Sequence, residues 1–179
     1  MKIKPQKKQV YIVLTYTGTF LSKIIRKYTK EEFSHVSISL DENLTRMYSF
    51  GRLNPYNPFI GGFVHEGINT GTFKRFKNTT AEIYSIELSN KQYKKIEQKI
   101  KKFKRKNNMY KFNVIGLFAV AFNIKRTKQN AFYCAEFVKY LLDESKFKHN
   151  LPLLIKPNDF KYIDGSDLTY KGILREYNV

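Results

Sequence analysis

Phe132-Tyr133-Cys134-Ala135-Glu136-Phe137-Val138-Lys139-Tyr140-Leu141-Leu142 is the stretch on which the fold turns. Its apolar residues lie nearly all round a helical wheel, with Phe137, Val138, Leu141 and Leu142 as anchors, so it predicts the most buried helix of the protein. Cys134 falls in the first turn. Unpaired backbone N–H groups and the helix dipole favour a thiolate at such a position, and the thiolate is the nucleophilic form of cysteine. The same N–H groups can meet the negative charge that develops on a carbonyl oxygen under attack. A lone cysteine on an apolar helix is also what an ordinary core position looks like. The choice between the two rests on what the rest of the chain brings to Cys134.

An imidazole is the natural partner, because it stabilises a thiolate and then protonates the leaving group. Of His35, His65 and His149, the last two lie in loop-like surroundings and read as surface residues. His35 opens residues 35–40, where His35, Ser37 and Ser39 alternate with Val36, Ile38 and Leu40, the pattern of a half-buried strand. Upstream, residues 10–16 are rich in β-branched and aromatic side chains with little alternation, which predicts a central strand buried on both faces. A short amphipathic helix follows, with Thr19 as N-cap, Phe20, Leu21, Ile24, Ile25 and Tyr28 at helical spacing, and an end near Lys30. Downstream, Asp41-Glu42-Asn43 is a turn and residues 45–50 an antiparallel partner for the histidine strand. Residues 51–71 carry Pro55, Pro58, Gly61, Gly62 and Gly67 and read as a long surface loop that covers something.

Residues 81–88 form a further expected strand, and Ser89-Asn90 caps a helix with Tyr93, Ile96, Ile100 and Phe103 on one face and lysines on the other. Residues 113–123 fit a strand or a buried helix, and periodicity does not choose. Pro157-Asn158-Asp159-Phe160 suggests a short capped helical turn, with a last strand over residues 168–175.

With 179 residues, 42% of them hydrophobic, the chain suits one compact domain spanning residues 1–179. A single cysteine excludes an internal disulfide, and three dispersed histidines offer no metal spacing, so no cofactor is expected. The apolar run after the basic N-terminus is too short for a signal-peptide core, and no stretch has the length of a membrane span, which gives a cytoplasmic protein as the expectation. Half of the net charge of +18 is concentrated, since residues 91–111 hold ten basic residues and one acid, and the other half is scattered. That helix face can meet an anionic polymer, nucleic acid or a membrane surface. With no phosphate-binding glycine loop or aromatic stacking motif beside it, sequence-specific readout of nucleic acid has little support.

Taken in order, Ser34-His35-Val36-Ser37-Ile38 and then Tyr133-Cys134-Ala135-Glu136-Phe137-Val138 resemble the "S-H-V-G-I" strand and "Y/F-C-S/A-x-F/L-V" helix start of the circularly permuted NlpC/P60 branch of the papain-like cysteine hydrolases. Lys156-Pro157-Asn158-Asp159-Phe160 loosely matches the trailing turn of that branch. The resemblance implies an α+β papain-like fold, with an antiparallel sheet packed against the cysteine-bearing helix. It implies metal-free amidase, peptidase or acyl-transfer chemistry on an amide or ester, with Cys134 as nucleophile and His35 as general base and acid.

Families of this kind place a third polar residue after the histidine to orient the imidazole. Ser49 stands at that position, and Glu66, in the glycine-rich segment, can reach in as its substitute; both remain candidates. Glu136 reads as a stabiliser of the helix N-terminus. Tyr16 and Tyr133 flank the site as candidate substrate-binding hydroxyls, although aromatic core packing is the commoner use of such residues. The alternative to a hydrolase is a non-catalytic basic binding module on a degenerate papain-like fold, working through the lysine face of residues 91–106.

Overall fold

A computed structural model describes residues 7–54, 56–106, 109–112 and 131–178, so the undecided stretch 113–123 lies outside the described residues. The run of β-branched and aromatic residues forms strand β1 (Lys7–Tyr16), buried from residue 10 to residue 15. Helix α1 (Phe20–Thr29) starts at Thr19, whose Oγ1 accepts from the Ser22 N–H at 3.3 Å, and ends at Lys30 in the left-handed conformation. Its apolar stripe is less buried than its spacing suggests: Ile25 is in the core, but Phe20 is 79% and Tyr28 54% exposed. Then come β2 (His35–Ser39), β3 (Met47–Asn54), β4 (Asn57–Glu66), the single turn α2 (Gly71–Arg75) and β5 (Thr80–Ser89). Helix α3 (Asn90–Arg105) opens with a capping box between Ser89 and Gln92. The short strands β6 (Lys111–Phe112) and β7 (Ala131–Phe132) lead to α4 (Cys134–Ser145), a 3₁₀ turn at Pro157–Tyr162, β8 (Ser166–Ile173) and a last 3₁₀ turn at Leu174–Glu176.

Six strands make one sheet in the order β4-β3-β2-β1-β5-β8, with every neighbouring pair antiparallel. Strands β6 and β7 form a separate parallel pair. The fold class is therefore α+β, with α3 and α4 packed on the sheet. Val10, Ile12, Leu14, Val36 and Ile38 meet Ile96, Ile100 and Phe103 of α3 and Phe137, Val138, Leu141 and Leu142 of α4. On the opposite face, Tyr11, Val13, Met47, Ala81 and Ile83 form a second core with Leu44, Phe73 and Leu174. Double-sided burial explains the lack of alternation in β1.

Two expectations are corrected by this second core. Residues 51–71 are not a long surface loop: they complete β3, form β4 and continue into α2. Gly51 pairs with Gly62 and Arg52 with Gly61 across the β3–β4 ladder, so these glycines sit in paired strands and supply close approach in place of turns. Strand β2 is not half-buried either, because Ser37 and Ser39 have no exposed surface. Their hydroxyls are satisfied internally, Ser39 Oγ donating to Asp41 O at 2.8 Å. The final strand runs from Ser166 to Ile173, two residues earlier than its apolar pattern suggests.

Aromatic packing fixes α4 in place. The Phe137 ring lies 5.2 Å from Phe103 of α3, 5.3 Å from Phe50 of β3 and 5.7 Å from Phe63 of β4. Each such pair contributes about 0.5–1.5 kcal/mol beyond its buried area. Phe137 is less than one turn from Cys134, so the same contacts set where the helix begins.

On β5, Glu82 is buried and accepts from Lys161 at 2.9 Å, Lys171 at 2.8 Å and the Tyr84 hydroxyl at 2.8 Å. Burial opposes the charged carboxylate, but the hydrogen bonds from Lys171, Lys161 and Tyr84 outweigh it and hold the pKa below the ordinary 4.5. Its stabilising contribution is thus present above pH 4.5 and is lost as the pH falls through the lowered folded-state value. Glu82→Ala should cost about 3 kcal/mol in urea unfolding at pH 7, the scale for stranding one partner of a buried pair. The difference from wild type should shrink as the pH drops below 4.5; a gap independent of pH would contradict this account.

Candidate active site

His35 is the first residue of β2 and stands at the end of the sheet, where the start of α4 also arrives. The position of the loop before it is held by Asn158 of the 3₁₀ turn. Asn158 Oδ1 accepts from the Phe33 N–H at 3.0 Å, and its Nδ2 donates to Glu31 Oε2 at 2.6 Å. The Ser34 N–H donates to Thr15 O at 3.2 Å, which brings the chain onto β1 at the residue before His35.

The imidazole Nε2 lies 3.1 Å from Glu66 Oε1 and 3.4 Å from Oε2, with Ser37 Oγ 3.3 Å away. Ser37 also donates to Glu66 Oε2, so the carboxylate is held from two sides. Glu66 is the last residue of β4, two strands from β2, and Ser49 and Gly51 of β3 lie in the gap. A β-carbon added at Gly51 would come within 3.4 Å of His35 Cε1 and of Ser49 Oγ. Small residues on the intervening strand are what let the carboxylate reach the ring.

Of the two candidates for the third position, it is Glu66 that contacts the imidazole. Ser49 Oγ is buried near the same carboxylate, but no hydrogen-bond partner lies within bonding geometry of it. The sheet register explains the difference. Ser49 and Gly51 point to the same face as His35, and the carboxylate passes over them.

Cys134 is the first helical residue of α4 and lines one pocket with His35, Glu66, Gly51 and Arg52. Only 3% of it is exposed. The Tyr133 N–H donates to Glu136 Oε2 at 3.2 Å, which closes the helix start and matches the capping role expected of Glu136. Cys134 lines the pocket close enough to the imidazole to favour its charged form. Glu66 and Ser37 gather at Nε2, which leaves Nδ1 clear of both. Burial disfavours a charged His35, yet the Glu66 carboxylate, its hydrogen bond to the ring and the nearby Cys134 outweigh it and push the pKa from 6.5 up to about 10. For Glu66, burial is likewise outweighed, by the His35 charge and the hydrogen bonds from His35 and Ser37, so its pKa falls below 4.5.

The two tyrosines do not join this pocket. The Tyr133 hydroxyl is buried and donates to Ile155 O at 2.8 Å, which makes Tyr133 a core residue and corrects its reading as a substrate-binding group. Tyr16 does not line the pocket: it packs against the main core, with the Arg26 guanidinium 4.8 Å from its ring centre, which corrects its placement at the site. His65 belongs to β4, where it is exposed and stacks on Tyr48 at 4.9 Å, and His149 lies 2.8 Å from Asp143. Sequence reasoning missed three contributors: Ser37, Asn158 and Arg52. Ser37 had a signal, since it shares the alternating face of His35, whereas Arg52 fell in the segment read as a loop.

Among the described residues no cluster of histidine, cysteine and acidic side chains has the arrangement of a metal site, and no helix is long and apolar enough to cross a membrane. Comparison with protein-family models, curated proteins and solved structures finds no match to this chain.

Glu66→Gln should lower stability at pH 6, and Ser49→Ala should change it by less than about 1 kcal/mol, because an unpartnered hydroxyl makes no bond to lose. A raised histidine pKa stabilises fully below pH 6.5 and loses its effect as the pH rises through about 10. Melting temperatures measured from pH 6 to 10 should therefore show the wild-type advantage over E66Q narrowing across that window. A constant or widening advantage would rule out the charged pair.

Proposed function

We propose that this protein is a thiol-dependent hydrolase of amides or esters, with a papain-like fold of the permuted NlpC/P60 kind. One observation carries the reading: Cys134 at the first position of α4 shares a pocket with an imidazole that is itself bound to a buried carboxylate. Cys134 is the nucleophile, His35 the acid and base, and Glu66 the group that holds the imidazolium in place.

In the resting pair, the thiolate has the His35 imidazolium as its counter-ion. Sγ attacks the carbonyl carbon, forming the S–C bond while the C=O electron pair moves to oxygen. Backbone N–H groups at the start of α4 face the charge that develops. The oxyanion collapses, the bond to the leaving amine or alcohol breaks, and His35 gives up its proton to that group. Neutral His35 then takes a proton from water, whose oxygen attacks the thioester. The acid product departs and the thiolate–imidazolium pair is restored. The Nε2–H to Glu66 bond keeps Nδ1 available throughout. The fall in the Glu66 pKa keeps the carboxylate ionised at neutral pH.

Rapid, stoichiometric labelling of Cys134 by iodoacetamide at pH 7 is the expected result, with His35→Ala slowing it by about 10²-fold or more, the scale of a lost acid–base partner. Slow labelling that H35A leaves unchanged would mean that Cys134 is a core residue.

A second reading keeps one observation of its own. Lys91, Lys94, Lys95 and Lys102 are exposed on α3, and the first three border a groove with Lys146 at the end of α4. On that reading the chain is a basic module for an anionic polymer, nucleic acid or membrane surface. Charge reversal at Lys94, Lys95 and Lys102 should then abolish binding to heparin or anionic vesicles while C134A retains it. The hydrolase reading expects the opposite dependence for turnover.

A further inference from the structure

Arg52 follows Gly51 on β3 and lines the pocket that holds Cys134, His35 and Glu66. Its Nη2 donates to Thr19 Oγ1 at 3.4 Å, a long hydrogen bond, and its Cζ lies 5.7 Å from the centre of the Phe76 ring. Arg75 Cζ is 5.3 Å from the same ring, so a second cation stands close by. Among the described residues Arg52 forms no ion pair, whereas Arg46, just before β3, is bound to Glu97 at 2.5 Å. Burial, and next the charge of Arg75, hold its pKa below the ordinary arginine value, and Glu66 offsets this only in part. A partly buried guanidinium without a carboxylate has unmet hydrogen-bonding capacity, and its planar fork matches two oxygens of one anion. Thr17 and Thr72 line the same pocket, and their hydroxyls can serve an anion's remaining oxygens.

We propose that Arg52 sets the specificity of the pocket by binding an anionic oxygen group, a carboxylate or a phosphate, which the substrate carries next to the bond that Cys134 attacks. The inference rests on the thiol-hydrolase reading. Arg52 selects the substrate and positions it; the bond-making groups remain Cys134 and His35.

Iodoacetate and iodoacetamide alkylate a thiolate by the same step, in which an S–C bond forms and the C–I bond breaks, releasing iodide. They differ in a carboxylate against a neutral amide. On the full chain, Arg52→Gln should lower the ratio of the iodoacetate rate to the iodoacetamide rate about tenfold, the factor expected of one lost charge-assisted hydrogen bond. Arg52→Lys, which keeps the charge without the fork, should recover part of the ratio. An unmoved ratio, or an equal fall in both rates, would overturn the proposal, since Arg52 would then act on the thiol or on the fold alone.

Anion binding in the C134A protein separates this proposal from the reading it rests on. Titration with inorganic phosphate and with acetate, followed by the Nε–Hε resonance of Arg52, should give a saturable shift. The anion that binds more tightly tells phosphate from carboxylate. Slow labelling of wild type by both reagents together with saturable anion binding in C134A would sink the hydrolase and leave the anion site standing. Absence of binding by either anion would sink the anion site.

Discussion

A carboxylate that reaches across a strand to an imidazole is the constraint around which this pocket is built. Glu66 ends β4, His35 begins β2, and β3 runs between them. The contact exists because Ser49 and Gly51 leave room over β3, and because Ser37 presents a donor to the same carboxylate. In a buried setting the pair has few alternatives: a charged imidazole without Glu66, or a carboxylate without His35, would be an uncompensated charge. The direction of both pKa shifts follows from that mutual dependence.

The scaffold serves the pair by holding the two ends that meet at it. Phe50, Phe63, Phe103 and Phe137 lock α4 against α3 and the β3–β4 hairpin, which determines where the helix starts and so where Cys134 stands. Asn158 secures the approach to His35 from a segment more than a hundred residues later in the chain. The second core, with Met47, Phe73 and Leu174, shields the polar face of β2, so that serines normally turned to water become internal hydrogen-bond donors. Local preorganisation of this kind keeps a catalytic or binding geometry from depending on loop order.

Several features were legible because they depend on neighbours in sequence. The central strand, the Thr19 and Ser89 caps, the apolar face of α3 and the burial of Phe137, Val138, Leu141 and Leu142 follow from period and local hydrogen bonding. Residues 51–71 misled for an equally physical reason. Glycine and proline mark turns when nothing pairs with them, yet Gly51, Gly61 and Gly62 sit in a ladder whose partner strand supplies the backbone bonds. The alternation of β2 marks two faces, but alternation cannot say what covers the polar one.

Sequence alone determined that Cys134 opens the most buried helix and that His35 opens a strand, because both depend on residues within one turn or one hairpin. It also narrowed the third position to Ser49 and Glu66. Only the tertiary structure chose between them, withdrew Tyr16 and Tyr133 from the pocket and brought in Arg52. Each of those outcomes depends on strand register and on which side chains leave space for others, and register is settled by pairing between distant segments.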